Sequence, residues 1–514
     1  MTDLAWHIIA FAIYFVAILA IGIVFFFKSK GGGEKEYFLG GRSMGPWVTA
    51  LSAQASDMSA WLLMGLPGSI LAFGFGKMWI GIGLALGTAA NWIFVAKRLR
   101  RFSRAANDSI TLPQYLSNRF GGGKTALQTV CAVIFLVCFT VYVASAFVAG
   151  TKVFTTVFDG LAPVTAMIIF AAIILVYTFM GGFKAVCWTD FFQGFLMLAA
   201  VLAIPIIALV MGDGDSAALS QTFVGQEGTR YAFGTNLFSS DWRDIVSGLA
   251  WGLGYFGMPH ILVRFMSIRK AKEINKAATV AIIWVTLALG AVVVLAVLGR
   301  MIMGEELLTS DKQELVFIKM AVKYFHPLLA GFLMSAVIAA SMSTADSQLL
   351  VASSSFTSDI YKPLIRKKAS DKEVMWMGRL VVVVVAVIAF FIAYNGLPKV
   401  DANGVPIKTA ASAVMDLVEN AWAGFGSAFG PVVILSLFWK RFNYMGALAG
   451  VIAGAVVDVV WLFSGLAAKT GIYELIPGFA AGLIVAIVVT LLTKKPDGLT
   501  EAIFETATNP ELDD

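Results

Sequence analysis

The sequence predicts an all-α protein that crosses a membrane many times, and three observations lead to this prediction. The chain has 514 residues, of which 59% are hydrophobic and 14% are charged. Soluble proteins carry about 25% charged residues, so this chain has too few charges to cover a water-facing surface. Apolar stretches of bilayer length recur from end to end, and 49 glycines fit closely packed membrane helices. Composition therefore excludes a soluble enzyme, a disordered chain and a disulfide-framed secreted domain.

The membrane spans are predicted from apolar stretches, because a helix needs about 20 apolar residues to cross a bilayer. Thirteen such stretches occur in the sequence. An odd number of spans places the two termini on opposite sides of the membrane. The predicted spans are residues 4–27, 45–74, 78–96, 125–151, 162–180, 188–211, 242–263, 277–303, 327–353, 376–396, 414–439, 444–466 and 472–493.

Basic residues are concentrated in alternate loops, which predicts the orientation. Roughly 27 of the 38 Lys and Arg residues follow the odd-numbered spans, and such loops face the cytoplasm. The N-terminus is then outside, the C-terminus is cytoplasmic, and the net charge of +6 indicates orientation rather than nucleic-acid binding. The basic groups lie in residues 28–42, 97–124, 264–276, 362–379, 440–441 and 494–495, and at Lys184.

The domain organisation follows from the lengths of the polar connections. The longest connections, residues 97–124 and 212–241, have about thirty residues each, too few for a further domain. Residues 1–496 are therefore predicted to form a single transmembrane domain. Residues 497–514 are predicted to be a short, acidic and mobile cytoplasmic tail.

Two predicted spans contain features that break a membrane helix. The second span holds a polar island over residues 52–61, with Asp57 inside it, and the seventh holds three glycines and Pro259 within residues 251–260. Irregular backbone at membrane depth persists only where it is buried or lines a cavity. Its free carbonyls and half-helix ends are natural ligands for a cation and a charged solute. The alternative is a pair of kinks that serve close helix packing.

The two breaks are five spans apart, which predicts an inverted repeat. Residues 45–211 form the first predicted repeat and residues 242–439 the second, and five spans per unit invert the second relative to the first. One helix precedes the repeats, and two more occupy residues 444–493. Interrupted helices at matching positions of two halves indicate the binding site of a secondary transporter.

Polar residues within the spans are the candidates for that site. A carboxylate in a membrane is expensive, so Asp57 is predicted to attract a cation or carry a proton; the alternative is that it caps a half-helix. Ser343, Thr344 and Ser347 lie within one turn, and their hard oxygens suit sodium, unless they only bond carbonyls of their own helix. Metal-ligating cysteine clusters, phosphate-binding loops and partnered nucleophiles are not apparent in the sequence, which argues against an enzyme.

Aromatic residues flank the second break. Trp251 and Tyr255 are four residues apart and share a helix face. That face is suited to enclosing a small solute with an apolar ring, with the tyrosine hydroxyl as a polar contact. The alternative is ordinary packing, which is the commoner role of aromatic residues in membrane helices.

Long sequence strings carry a resemblance to a known family. The chain resembles the sodium/solute symporter family and, within it, the bacterial sodium/proline symporters. The similarity covers nearly the whole chain, and the proline subgroup rests mainly on the second and seventh spans. The strings that carry it lie at residues 39–46, 50–59, 61–68, 251–261, 342–344, 421–426, 429–431 and 436–454.

This resemblance implies a LeuT-like fold, a five-plus-five inverted repeat with one helix before it and two after it. It implies a non-enzymatic protein of the bacterial inner membrane that couples inward sodium flow to uptake of L-proline. The expected partners are sodium, L-proline and membrane lipid, with no nucleic acid and no obligatory protein partner. The alternatives are another solute (a different amino acid, pantothenate or a sugar), coupling to protons, or a non-transporting sensor.

The resemblance also implies roles for particular residues. Arg42 corresponds to a position tied to ion coupling, and Asp57 is expected near the sodium ion, either directly or indirectly. The expected sodium ligands are the backbone carbonyls of Ala55, Met58 and Ala340 and the hydroxyls of Ser343 and Thr344. The expected proline-binding residues are Ser59, Tyr142, Trp251, Tyr255 and Pro259. A possible second sodium site comprises Asp190, Ser343, Asp346 and Ser347.

Overall fold

The computed structural model describes residues 2–28, 33–122, 125–158, 160–226, 228–397, 399–400, 406–407 and 414–509. Some residues used for the predictions lie outside these ranges. They are Lys30 and Lys124 of the basic loops and Glu511, Asp513 and Asp514 of the acidic tail.

The described chain is helical almost throughout, with two very short antiparallel hairpins in loops. The hairpins pair β1 (Phe223–Val224) with β2 (Arg230–Tyr231) and β3 (Lys399–Val400) with β4 (Pro406–Ile407). The helices are α1 Asp3–Lys28, α2 Glu34–Leu39, α3 Pro46–Asp57, α4 Leu66–Phe73, α5 Met78–Ala90, α6 Lys97–Ala105, α7 Leu112–Arg119, α8 Thr125–Val157, α9 Pro163–Met211, α10 Trp242–Gly254, α11 Pro259–Ser267, α12 Ile274–Thr309, α13 Val316–Tyr324, α14 Pro327–Phe356, α15 Asp371–Asn395, α16 Val414–Phe438, α17 Tyr444–Phe463, α18 Leu466–Thr470, α19 Leu475–Leu492 and α20 Gly498–Thr508.

All thirteen predicted spans coincide with helices. Within the described ranges, eleven helical segments are long and apolar enough to cross a membrane, among them the interrupted seventh span, Trp242–Ser267. The remaining two spans are shorter or interrupted: the fifth is Pro163–Phe179, and the second consists of α3, a π-helical turn at Trp61–Gly65 and α4. The fifth and sixth spans lie within α9, where Gly182 leaves the helical conformation at φ 65° and ψ 176°.

Contacts between loops show which loops lie at the same end of the helix bundle. At one end, Arg42 bonds the carbonyl of Ser109, and Arg119 bonds the carbonyl of Ser436. At the other end, Gly74 forms a β-bridge with Gly234. The loops that follow odd-numbered spans thus meet at one end, as the charge alternation predicts. We call this the basic end and the other the opposite end.

The structure corrects two predictions made at the basic end. Arg264 was counted among the loop cations, but it lies inside α11 and is 1% exposed. The tail was predicted to be mobile, but residues 498–508 form α20, which packs against α6. Arg119 holds this helix through a 2.9 Å hydrogen bond to the carbonyl of Thr500, and Phe504 contacts Phe102 edge to face.

Small residues bring the broken seventh span close to its neighbours. A Cβ atom added to Gly87 of α5 would lie 2.4 Å from the Cα atom of Gly252 in α10, and one added to Gly257 would lie 2.4 Å from the carbonyl oxygen of Phe425 in α16. These contacts leave no room for larger side chains, as in other closely packed membrane helices. The glycines predicted to open the seventh span therefore also hold it against α5 and α16.

Arg300 is a buried cation that fastens the long loop of the opposite end. It lies in α12 and is fully buried. Its guanidinium donates to carbonyls at the end of α4 and in the loop between α9 and α10, which satisfies backbone groups that have left regular structure. The accepting residues are Leu71, Ala72, Ala218, Gln221 and Tyr231, at 2.6–3.2 Å.

Candidate functional site

The first break frees backbone carbonyls in the middle of the second span. Helix α3 ends at Asp57, and Met58 leaves the helical conformation at φ −79° and ψ 67°. The N–H group of Ser59 bonds the carbonyl of Asp57 at 2.9 Å, whereas in a continuous helix it would bond Ala55. The Ala55 carbonyl is consequently available to a partner outside its own helix.

That partner is a hydroxyl of α14. Ser343 Oγ donates to the carbonyl oxygen of Ala55 at 2.8 Å and lies 3.2 Å from that of Ala340. Thr344 follows on the same helix; its Oγ1 is buried and has no hydrogen-bond partner among the described residues. Met58, at the break itself, is fully buried. The structure therefore gathers Ala55, Ala340 and Ser343 into one cluster of hard oxygens, with Thr344 beside it.

Asp57 connects the first break to the second. Tyr255, at the break between α10 and α11, donates its hydroxyl to Asp57 Oδ2 at 2.6 Å. The other oxygen, Oδ1, is buried without a hydrogen-bond partner in the described part of the chain. Asn91 in turn donates to the Tyr255 carbonyl at 3.0 Å. Asp57 thus bonds a side chain of the other broken span, and one carboxylate oxygen remains available for a cation.

Aromatic rings form a wall beside the second break. The Trp251 ring lies 5.5 Å from that of Tyr473 and 6.3 Å from those of Trp61 and Trp422, measured between centroids. Trp422 Nε1 donates to the Trp251 carbonyl at 2.8 Å, and its ring meets Tyr255 edge to face at 5.0 Å. The predicted pair Trp251 and Tyr255 therefore shares one aromatic cluster, in contact with both broken spans.

A cavity approaches this wall from the opposite end. It has a volume of about 360 Å³, and Trp251 and Tyr473 are among its lining residues. The basic end is closed by chain pairing: the Met44 N–H group bonds the Ser267 carbonyl at 3.3 Å, and the Arg269 N–H group bonds the Met44 carbonyl at 3.0 Å. The cavity therefore reaches Trp251 from the opposite end, whereas the paired chain segments close the basic end.

Of the other predicted proline-binding residues, Ser59 and Pro259 lie at the two breaks, and Tyr142 lies beside the second break. Tyr142 of α8 is fully buried, its hydroxyl has no hydrogen-bond partner within the described ranges, and its ring contacts His260 at a centroid distance of 6.3 Å. Pro259 precedes His260 and begins α11. Ser59 lies in the first break, 3.5 Å from the Trp61 N–H group. Polar groups from α8 and both breaks thus border one region of the core.

The predicted second sodium cluster contains a fixed cation that the sequence reasoning missed. Arg264 Nη2 donates to Asp190 Oδ2 at 2.9 Å and also to Ser347 Oγ, and Ser52 donates to Asp190 Oδ2 at 2.7 Å. Asp346 Oδ1 accepts a 3.4 Å hydrogen bond from Ser347. A guanidinium therefore lies among Asp190, Asp346 and Ser347, the residues predicted to surround a second ion.

Arg42 closes the basic end over this cluster. It is 7% exposed and adopts the left-handed conformation at φ 53°. Its guanidinium bonds Asp108 Oδ1 at 2.8 Å, the Met266 carbonyl at 2.5 Å and the Ser109 carbonyl at 2.8 Å. Arg42 therefore ties the segment before α3 to the end of α11.

Solved structures show which class of protein has this fold. A sodium-coupled sialic acid symporter matches 96% of this chain and 99% of its own, with a TM-score of 0.73 at 19% sequence identity. Mhp1, a nucleobase-cation-symport-1 family transporter, matches 91% of this chain and 98% of its own, with a TM-score of 0.53 at 16% identity. The predicted LeuT-like inverted-repeat fold is confirmed. Fold and broken helices together define a secondary membrane transporter.

Sequence comparisons show the family. The model of the Sodium:solute symporter family matches residues 37–454. The chain is 43% identical to the high-affinity proline transporter PutP of Bacillus subtilis over 93% of this chain and 96% of that protein. It is 41% identical to the osmoregulated proline transporter OpuE of the same organism over 97% of both chains, and 42% identical to a sodium/proline symporter of Staphylococcus aureus over 97% and 95%. The chain belongs to the Sodium:solute symporter family.

The Arg264–Asp190 pair generates a stability prediction. Replacing either partner, by Arg264→Gln or Asp190→Asn, should destabilise the protein by about 3–5 kcal/mol, because each leaves a buried polar group without its partner. The double variant should lose less stability than the two single variants lose together. Apparent melting temperatures of the purified protein measure all three losses.

The exposed pair Arg269 and Glu273 supplies the control. Arg269→Gln and Glu273→Gln should change the stability by about 0–1 kcal/mol, as surface ion pairs do. Additive losses in the Arg264–Asp190 cycle would contradict a coupled buried pair.

Proposed function

We propose that the protein carries sodium and L-proline together into the cell by alternating access. The observation that carries this proposal is the Asp57–Tyr255 hydrogen bond, which joins the break beside the oxygen cluster to the break beside the aromatic wall. Membership of the family supports sodium as the coupling ion, and relatives named as proline transporters support proline as the solute.

The sodium site proposed here comprises the carbonyls of Ala55, Met58 and Ala340 with the hydroxyls of Ser343 and Thr344. Ser343 donates to the Ala55 carbonyl in this structure. A sodium ion bound here replaces Ser343 as the partner of the Ala55 carbonyl. It is also coordinated by the hydroxyl oxygens of Ser343 and Thr344, so that it links α3 to α14. Asp57, with a buried oxygen that lacks a hydrogen-bond partner in the described chain, adds negative charge nearby.

The proline site proposed here comprises Ser59, Tyr142, Trp251, Tyr255 and Pro259. The indole of Trp251 offers an apolar face to the pyrrolidine ring, and the Tyr142 and Ser59 hydroxyls offer hydrogen bonds to its charged groups. Because Tyr255 touches Asp57, sodium and proline act on one hydrogen-bonded unit. Reciprocal coupling of this kind amounts to about 1–3 kcal/mol.

We propose one sodium ion per proline, because Arg264 already supplies a positive charge beside Asp190 and Ser347. One charge moving through 100 mV releases about 2.3 kcal/mol. About 1.4 kcal/mol corresponds to a factor of ten in an equilibrium constant. The membrane potential alone therefore supports a nearly fifty-fold higher concentration of a zwitterion inside than outside, and the sodium gradient adds to this ratio. Arg42, at the closure of the basic end, is proposed to couple ion release to the opening of that end.

The proposed orientation places the basic end in the cytoplasm of a bacterial cell, with the N-terminus outside and the C-terminus inside. The repeats are proposed to span residues 45–211 and 242–439, followed by the additional helices of residues 444–493 and the tail 497–514. Membrane lipid is the surrounding partner, and we propose no obligatory protein partner.

Impermeant maleimide labelling should verify this orientation. The native cysteines Cys131 and Cys187 are buried and Cys138 is half-buried, so an introduced cysteine dominates the labelling. Ser464→Cys, exposed at the opposite end, should react on intact cells, whereas Lys367→Cys, exposed at the basic end, should react only after permeabilisation. The reverse pattern would invert the proposed topology.

Uptake into proteoliposomes tests the function itself. An inward sodium gradient should drive accumulation of radiolabelled L-proline, while an equal choline gradient should not, because choline does not fit an oxygen cluster built for a small hard cation. Simultaneous sodium and proline fluxes should give a ratio of one. Uptake driven equally by an imposed proton gradient would favour proton coupling, and stronger competition by another solute would reassign the substrate.

Two matched variants should separate the ion site from the solute site. Thr344→Val removes a hydroxyl at nearly constant volume, so the sodium concentration for half-maximal uptake should rise about tenfold, with little change in the proline KM at saturating sodium. Trp251→Leu removes the indole face, so the proline KM should rise about tenfold, with a smaller effect on sodium. Uptake titrations of both substrates measure these four values.

Thr490 provides the control, since it is a buried threonine of α19 outside both sites. Thr490→Val should leave both half-saturation values unchanged. If Thr344→Val behaves like this control, the proposed sodium ligand is wrong; if Trp251→Leu leaves proline affinity intact, the solute binds elsewhere.

A further inference from the structure

A cavity at the basic end gathers an unusual number of cations. It has a volume of about 590 Å³ and is separate from the regions assigned to sodium and proline. Among the described residues, Asp108 is its one acidic lining residue. The basic lining residues are Lys35, Arg42, Arg100, Arg104, Arg269 and Lys270.

These cations come from three separate segments that meet at the closed end. Lys35 and Arg42 flank the entry to α3, Arg100 and Arg104 lie on α6, and residues 269–270 follow α11. Arg100 donates to the carbonyls of Ile268 at 2.7 Å and Arg269 at 3.1 Å, which fixes α6 to the segment after α11. An occupant of the cavity therefore touches all three segments at once.

Charge compensation within the cavity is incomplete. Lys35 and Arg42 share the single carboxylate of Asp108, and Arg269 pairs with Glu273. Arg100, which is 3% exposed, forms no salt bridge with any carboxylate in the described part of the chain. Burial opposes ionisation of Asp108, but Lys35 and Arg42 more than offset it and hold its pKa below the ordinary value. The described lining residues therefore comprise six basic groups and one ionised carboxylate, that of Asp108.

The backbone around this cavity is strained. Arg42, Asn107 and Asp108 adopt positive φ angles of 53°, 55° and 48°, a conformation that is uncommon for residues other than glycine. Strain of this kind persists where the surrounding structure demands it and is concentrated at binding sites and switches. Here it turns the Arg42 and Asp108 side chains toward each other at the edge of the cavity.

The general excess of basic residues in cytoplasmic loops does not account for this arrangement. Lys367 and Lys368 belong to the same end of the bundle, yet they are exposed and do not line the cavity. Guanidinium groups bind phosphate oxygens through paired hydrogen bonds, and several of them around one concavity favour an anion with more than one negative charge.

We propose that this cavity binds a phosphate-bearing anion, which cross-links its three segments and stabilises the arrangement closed at the basic end. A phospholipid headgroup and a soluble phosphate compound offer the same chemistry. The anion shifts the conformational equilibrium because the complete set of cations exists only while the three segments are together.

Thermal unfolding of the purified full-length protein tests the proposal. Pyrophosphate, titrated at constant ionic strength against chloride, is the soluble probe; mixed micelles with phosphatidylglycerol, compared with phosphatidylcholine, are the lipid probe. A melting temperature that rises with either probe and saturates supports the site, and the probe that acts identifies the source. No rise with either probe overturns the proposal.

Matched double variants locate the effect. Arg104→Gln with Lys270→Gln removes two exposed lining cations and should weaken the apparent affinity for the active probe about tenfold, or 1.4 kcal/mol. Lys367→Gln with Lys368→Gln removes the same charge outside the cavity and should leave the affinity unchanged. Equal weakening of the affinity in both double variants would show that only the net charge of the protein matters, and it would refute the site. Neither double variant alters the proposed sodium or proline ligands, so this result is independent of the transport assay.

Discussion

The structure depends on one constraint: backbone polar groups that leave a helix inside a membrane must find partners within the protein. Both breaks meet this constraint with side chains from other helices. Ser343 bonds the carbonyl of Ala55, Asn91 that of Tyr255, and Trp422 that of Trp251. Each break is therefore stabilised by tertiary contacts, and its geometry depends on how α5, α14 and α16 are placed. A ligand that replaces one of these partners acts on helix placement directly.

The same constraint explains why Asp57 and Asp190, two of the buried carboxylates, have different surroundings. Asp190 receives a guanidinium, a cation that the chain itself supplies and cannot release. Asp57 receives a neutral phenol from Tyr255 and keeps one oxygen without a partner in the described chain. A carboxylate compensated by a fixed cation stabilises one arrangement, whereas a carboxylate with a neutral partner favours a cation that arrives and leaves. This difference suits Asp57 to ion-coupled movement and Asp190 to holding α9 against α11.

Sequence patterns predicted the spans and both breaks because these depend on local composition. Apolar length predicted the helices, and the glycines with Pro259 predicted the break between α10 and α11. The burial of Arg264 was missed because α11 continues to Ser267, past the predicted end of the span at residue 263, and because its partner Asp190 lies on a distant helix. The docking of α20 was missed because it depends on Arg119 and Phe102, distant residues whose proximity only the tertiary fold creates.

The two ends of the bundle are held by different kinds of interaction, and this affects how each can move. At the basic end, Arg42 and Arg100 donate directional hydrogen bonds to backbone carbonyls of the segment after α11. Such bonds are strong when aligned and weaken steeply when the geometry changes, so this end favours two discrete states. Toward the opposite end, Trp251, Trp422 and Tyr473 are stacked rings, whose contacts tolerate sliding. In the proposed cycle, a solute that packs between the rings can close the opposite end in small steps. Release of the solute toward the basic end requires several charged hydrogen bonds to break together. In the proposed transport cycle, the abrupt step therefore belongs to the basic end, where Arg42 connects the segment before α3 to α11.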